Sequence, residues 1–252
     1  MVSTEVIGDS GIGKTSSIVQ LADELGLNFV KLNLAQIEEI GDLVGFPIRQ
    51  FEVTDGATVK YVDESALEDV RTEGYKTTGK NRMSYCPPEW IANKANGGIL
   101  LLDDWNRADS RFIQAVMELI DRQQYISWTL PKDWHIILTA NPDNGDYLVN
   151  SIDNAQKTRF ISVNLKFDME CWGKWAENSD IDGRCINFML MNPELINKEV
   201  NSRSAVMFFN SISSIKSFED SLPLIQMIGD VSVGSEFSSM FTMFINNKLD
   251  KI

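Results

Sequence analysis

Eight residues near the N-terminus, Gly8-Asp9-Ser10-Gly11-Ile12-Gly13-Lys14-Thr15, read G-x-x-x-x-G-K-[ST]. That spacing is the signature of a loop that wraps a phosphate. Its glycines let backbone N–H groups turn toward one anion through conformations costly for other residues. Lys14 is placed to reach the β- and γ-phosphates of a nucleotide, and the Thr15 hydroxyl to ligate magnesium. A second chemical pair, Asp103-Asp104, closes the apolar run Gly97-Gly98-Ile99-Leu100-Leu101-Leu102. Asp103 suits the shell of the magnesium ion, and Asp104 suits polarising an attacking water. Acidic turns after strands are common, so this assignment leans on the phosphate loop in the same chain.

Three further polar residues have two readings each. Asn141, in Thr139-Ala140-Asn141-Pro142, is either a turn-capping amide before proline or a polar group delivered to a strand end. Arg203 falls in the first turn of an expected helix capped by Asn201 or Ser202, where the helix dipole disfavours a cation. That placement points to an anionic partner, the alternative being a solvated surface arginine. Arg159, between a polar segment and a strand, carries the same ambiguity.

The elements that must hold these groups alternate through the first two-thirds of the chain. Val2 to Ile7 reads as a short strand entering the loop. Ile18, Leu21, Ala22 and Leu25 then recur at helical spacing, so the loop opens a helix whose positive end faces the phosphates. Asn28 to Leu34 alternates like a strand, and Ile37 to Val44 is mixed. Residues 50–80 are polar, with Asp55-Gly56 as a hairpin-type turn between Phe51-Glu52-Val53 and Val59-Lys60-Tyr61-Val62. The segment is expected as a surface insertion, or simply a surface loop.

The run ending at Leu102 suits a central parallel strand covered on both faces. Its C-terminal acids sit where open α/β sheets bind ligands. A helix is expected from Asp109, with Phe112, Ile113, Val116, Leu119 and Ile120 on one face. Tyr125 to Leu130 and Trp134 to Ala140 read as strands, and Arg159 to Leu165 as a fifth. Five strands with intervening helices make a parallel three-layer α/β domain. After Lys166 only helices are expected: Met169 to Glu177, Cys185 to Met191, Ser202 to Ile215 and Ser235 to Asn246. Phe237, Met240, Phe241 and Phe244 give the last a core-facing stripe.

Composition narrows the function classes. The chain has 252 residues, with 23 Lys and Arg against 36 Asp and Glu, a net charge of −13. Such a surface repels polyphosphate backbones, so nucleic acid and anionic membranes are poor partners. Cys86, Cys171, Cys185 and His135 lack the close spacing that a structural zinc site needs. Sparse, odd thiols fit a reducing compartment. No apolar run approaches the roughly 20 residues that span a bilayer, and no signal peptide is visible. A cytoplasmic protein is the expectation.

Taken in order, these motifs resemble the AAA+ ATPases, and among them the MoxR-like group. Residues 8–15 match Walker A, and Gly41-Asp42-Leu43-Val44-Gly45 is similar to the family's D-L-[LIV]-G segment. Pro87-Pro88-Glu89-Trp90 through Gly98 to Ala108 is similar to its P-P-E-W and Walker B block. Thr139 to Pro142 resembles the sensor 1 strand, Thr158-Arg159-Phe160 the arginine-finger segment, and Ser202-Arg203-Ser204 the sensor 2 start of a lid helix. Gly234 to Phe237 is similar to the last lid helix. The likeness covers nearly the whole chain.

The resemblance implies a P-loop NTPase core of three αβα layers with a parallel five-stranded sheet, over residues 1–165, and a small all-helical lid over 166–252. It implies ATP with Mg2+, a homo-oligomeric ring that is usually a hexamer, and a protein client such as a von Willebrand factor A domain protein. By the same resemblance, Asn141 orients the attacking water, Arg159 enters a neighbour's site, and Arg203 closes the lid on the γ-phosphate. Other readings remain: a nucleotide-gated binding module with little turnover, and a DNA-handling motor such as a helicase loader. Three departures are evident. Asp104 stands where the family has Glu, one methylene short. The chain begins at the first strand, without the upstream helix that in many relatives helps hold adenine. The 50–80 segment is longer than in many relatives.

Overall fold

The computed structural model describes residues 2–197 and 199–247. Along the chain run β1 (Ser3–Ile7), α1 (Lys14–Glu24), β2 (Asn28–Asn33), α2 (Ile40–Val44), β3 (Phe46–Thr54), β4 (Val59–Asp63), α3 (Leu67–Thr72) and β5 (Lys76–Cys86). Next come β6 (Gly98–Asp103), α4 (Ser110–Arg122), β7 (Gln124–Tyr125), β8 (Trp128–Thr129), β9 (Trp134–Ala140), α5 (Asn154–Lys157) and β10 (Phe160–Asn164). Five helices end the chain: α6 (Met169–Glu177), α7 (Gly183–Met191), α8 (Ser202–Ile212), α9 (Leu222–Ser232) and α10 (Ser235–Asn246). They cluster into two compact units, one comprising the residues up to Ile7 with Ile18–Val163, the other Gly8–Ser17 with the residues from Asn164 onward.

In the first unit, five strands form one parallel sheet in the order β10-β1-β9-β6-β2. Strand β6 lies inside it, and every residue from Gly98 to Asp103 is buried, as the continuous apolar run requires. Successive side chains alternate between the sheet's two faces. Leu100 and Leu102 join Ile136, Leu138, Phe112, Val116, Leu119 and Trp105 in the larger core. Ile99 and Leu101 on the opposite face pack with Ile18 and Ala22 of α1. The register pairs Leu102 with Leu138 and Ile7 with Ala140, so the C-terminal ends of β1, β6 and β9 are level. The acids after β6 and the amide after β9 thus leave the same end of one sheet.

Helix α4 starts where its cap residue dictates. The Asp109 side chain accepts from the Arg111 N–H, and all five expected apolar residues are buried. Helix α1 departs from its expected stripe: Leu21 is 42% exposed and Leu25 60%. Leu21 lies about 60° around the helix from Ile18 and points past the sheet, while Leu25 falls beyond the helix end. Tyr125 to Leu130 is a two-strand turn rather than one strand, reversing at Ile126, whose φ is 46°.

The expected insertion is wider than 50–80. It is a three-stranded antiparallel sheet, β4-β3-β5, spanning Phe46 to Cys86 with α3 between β4 and β5. Asp55 makes its first turn by accepting from the Ala57 and Thr58 N–H groups.

The helices of the second unit enclose an aromatic core. Phe188 meets Phe237 at 5.2 Å and Phe241 at 5.1 Å, edge to face, and Phe208 meets Phe241 at 5.4 Å. Such pairs contribute about 0.5–1.5 kcal/mol each beyond buried area. Helices α6 and α10 have their expected bounds. Helix α8 ends three residues earlier than the spacing predicts, and α9 was not expected.

Candidate functional site

In the second unit, the loop from Gly8 to Gly13 leads into α1, which begins at Lys14. Gly11 has φ +77° and Gly13 φ +100°, the left-handed region that a side chain disfavours. A Cβ on Gly8 would meet the Leu165 carbonyl oxygen at 2.7 Å, and one on Gly11 the Asn201 Oδ1 at 2.5 Å. Small residues are therefore required on both counts. The buried Lys14 ammonium donates to the Gly8 carbonyl at 2.6 Å and the Asp9 carbonyl at 2.9 Å. It is folded back over the loop. Asp9 is exposed, Ser10, Ile12 and Thr15 half-buried, and Thr15 occupies the first turn of α1.

The same unit brings the start of α8 to this loop. Asn201 caps the helix by accepting from the Ser204 N–H, and Ser204 Oγ accepts in return from the Asn201 N–H. Ser202 Oγ donates to the Gly11 carbonyl at 2.5 Å. Arg203 follows directly and is exposed. Of the two cap residues considered, Asn201 is the cap; Ser202 is the loop contact, a role no pattern in the sequence signals.

In the first unit, the ends of β6 and β9 carry a connected polar network. Thr139, fully buried, donates from Oγ1 to Asp103 Oδ1 at 2.5 Å and accepts from the Asp104 N–H at 3.0 Å. Asp104 sits in the left-handed region, φ 52° and ψ 37°, a conformation that short polar side chains tolerate best. Its Oδ1 accepts from Asn141 Nδ2 at 3.2 Å. Asn106 then fixes Asn141 from the backbone side, donating to its carbonyl at 2.8 Å and accepting from its N–H at 3.2 Å. Asn141 is 4% exposed. Its side chain meets the Asp104 carboxylate just beyond the end of β9.

Trp105, next in the chain, anchors the turn by donating to Glu5 at 2.9 Å, and Glu5 also accepts from Ser162 at 2.6 Å. Arg159 immediately precedes β10. Its Nε donates to Asp121 at 2.7 Å and its Nη1 to the Ala155 carbonyl at 3.1 Å. Arg107 is exposed. Thr139 and Asn106 stand inside the quoted motifs but had no role until the side-chain bonds were visible.

The donors fit a magnesium nucleotide. A hydroxyl at Thr15 and a carboxylate at Asp103 are hard oxygen ligands, and Lys14 is a cation in a small-residue cradle. Magnesium characteristically takes one or two protein oxygens and completes its shell with phosphate and water. Among the described residues, no three His, Cys, Asp or Glu side chains gather to hold a metal by themselves. No described helix is long and apolar enough to cross a membrane.

A family model described as the AAA domain, dynein-related subfamily, matches residues 5–160. Among solved structures, a point mutant of RuvB from Thermotoga maritima is similar with a TM-score of 0.51 and 12% identity, covering 96% of this chain and 62% of that one. A second point mutant of that protein gives the same TM-score of 0.51, identity of 12% and coverage of 96% and 62%. The Thermotoga maritima RuvB Holliday junction branch migration motor is similar at a TM-score of 0.49 and 13% identity, over 96% and 61%. At 12% identity the likeness to the two point mutants is one of fold alone, and this chain spans about three-fifths of their length. No curated protein matches the sequence.

Proposed function

Because this chain belongs to the AAA domain family, dynein-related subfamily, we propose that it binds ATP with magnesium, hydrolyses it, and works as a ring that remodels a partner protein. The reading places it near the MoxR-like group, with residues 1–165 as nucleotide-binding core and 166–252 as lid. The observation that carries it is the Asn141–Asp104 hydrogen bond of 3.2 Å beside a buried Asp103. A carboxylate that activates water needs a fixed direction and a neighbour that holds the water, and this pair supplies both.

Each residue then has one task. The N–H groups of Gly8 to Thr15 grip the phosphates, and Lys14 turns its ammonium from the loop carbonyls to the β- and γ-oxygens. Thr15 and Asp103 hold the metal and its shell. Magnesium, when bound with the nucleotide, neutralises charge on the phosphate oxygens. Asp104 takes the proton of the attacking water while Asn141 orients it. Arg203, one residue beyond the Ser202–Gly11 contact, reaches the γ-phosphate from the lid. Arg159 leaves Asp121 to stabilise transition-state charge in a neighbouring subunit, as a guanidinium fork suits phosphate oxygens.

A hexamer is the expected ring, and a von Willebrand factor A domain protein the expected kind of client. The net charge of −13 weighs against a nucleic-acid track. The shorter acid at 104 favours one second reading, a nucleotide-gated binding module with little turnover. Arg159→Ala tests the ring enzyme. It keeps ATP binding but loses about 10³-fold or more of the turnover that appears at assembling concentrations. Full turnover in that variant overturns the role given to Arg159.

A further inference from the structure

The carboxylate assigned to the metal already carries a cation from its own sheet. Lys31 of β2 pairs with Leu101 across the parallel ladder, and Asn33 pairs with Asp103. Paired residues point to the same face, so Lys31 and Asp103 are diagonal neighbours there. A four-carbon stem spans that diagonal, and the Lys31 ammonium stands 2.8 Å from Asp103 Oδ2. The other oxygen, Oδ1, accepts from Thr139. The two ends of the pair differ in freedom: the Lys31 side chain is 40% exposed, that of Asp103 only 9%. The acid is fixed by a buried strand and a buried hydroxyl. The lysine approaches from water and can return to it.

We infer that Lys31 is a tethered cation that competes with the divalent metal for Asp103, holding the carboxylate in place when no metal is bound and weakening the metal's hold when one is. This rests on the reading that Asp103 serves the metal. A single and a double positive charge a few ångströms apart repel strongly even near a protein surface. Lysine suits an exchangeable partner because its ammonium is a compact, well-hydrated charge on a flexible stem, whereas arginine would grip the carboxylate as a rigid fork. Metal binding therefore has to displace or tolerate Lys31, and the sheet sets how readily the metal enters and leaves.

The test uses the full chain saturated with ADP and titrated with Mn2+, bound metal being read by electron paramagnetic resonance. Lys31→Met keeps the stem and removes the charge, and it binds Mn2+ about tenfold more tightly than wild type. Lys31→Arg binds Mn2+ no more tightly than wild type. If Lys31→Met leaves the affinity unchanged or lowers it, the competition is refuted. Asp103→Asn separates this from the underlying reading: it weakens Mn2+ binding if Asp103 serves the metal. An unchanged affinity in Asp103→Asn overturns that reading itself. Melting curves accompany each variant, and Lys31→Gln replaces Lys31→Met should the latter not fold.

Discussion

The loop at 8–15 and the strand ends at 103–104 and 139–141 both present charge, and they hold it by opposite means. The loop does so with backbone: Gly11 and Gly13 lie at positive φ, and one side chain, Lys14, folds onto the Gly8 and Asp9 carbonyls. The strand ends do so with side chains: Thr139 on Asp103, Asn141 on Asp104, and Asn106 on the Asn141 backbone. A backbone cradle with little side-chain bulk can re-form around its ligand. A buried polar network has one arrangement, because each member depends on the next. Gripping phosphate needs the first, and aiming water at phosphorus needs the second, where about 1 Å of error can cost 100-fold.

Variants should therefore divide into those that spoil grip and those that spoil aim. Of the three variants that test this division directly, Lys14→Ala is expected to have the largest effect. ATP affinity falls about 100-fold, as for the loss of hydrogen bonds to a charged group, while the melting temperature changes little. Titration with a fluorescent ATP analogue alongside thermal melting checks this, and binding near the wild-type level would break the comparison. Thr139→Val does the reverse. It keeps the shape but removes the hydroxyl that serves both Asp103 and the Asp104 N–H. Urea unfolding should show a loss of about 1–3 kcal/mol, with ATP still bound; unchanged stability would mean the network is not held as one unit. Gly11→Ala comes third: the left-handed φ of 77° makes a side chain cost about 1–2 kcal/mol, and its Cβ also presses on Asn201 Oδ1. Its effect should appear in nucleotide affinity, sharpening the division if Thr139→Val leaves that quantity alone.

The parallel sheet was legible in the sequence through its inner strand β6, which is buried from Gly98 to Asp103 and reads as one apolar run. The loop was legible because its spacing repeats a backbone requirement. What escaped has a physical reason in each case. Strand β5, Lys76–Cys86, is largely exposed and polar, so it carries no alternation, and its pairing with β3 alone defines it. Helix α9 begins at Leu222 and carries Gly229 within, a weak helical signal, and it exposes Leu224, Met227 and Val231, which blurs its apolar face. Leu21 keeps the helical spacing yet is exposed, because periodicity reports a helix, not which part of it a sheet covers. Lys31 and Asn106 were silent for a different cause. Their partners lie 72 and 35 residues away in sequence, and only the strand register and the turn geometry bring them together.

The account stands most directly on Asp104. Phosphate release from ATP with Mg2+, followed at assembling protein concentration, compares wild type with Asp104→Asn. The amide keeps the size of the side chain and its hydrogen bonding to Asn141 but cannot accept a proton from water. Wild type is predicted to release phosphate steadily, and Asp104→Asn to bind ATP yet turn over about 10²- to 10⁴-fold more slowly, the usual contribution of a general base. Wild-type release no faster than background, with ATP bound, would contradict the account and leave the chain a nucleotide-gated switch.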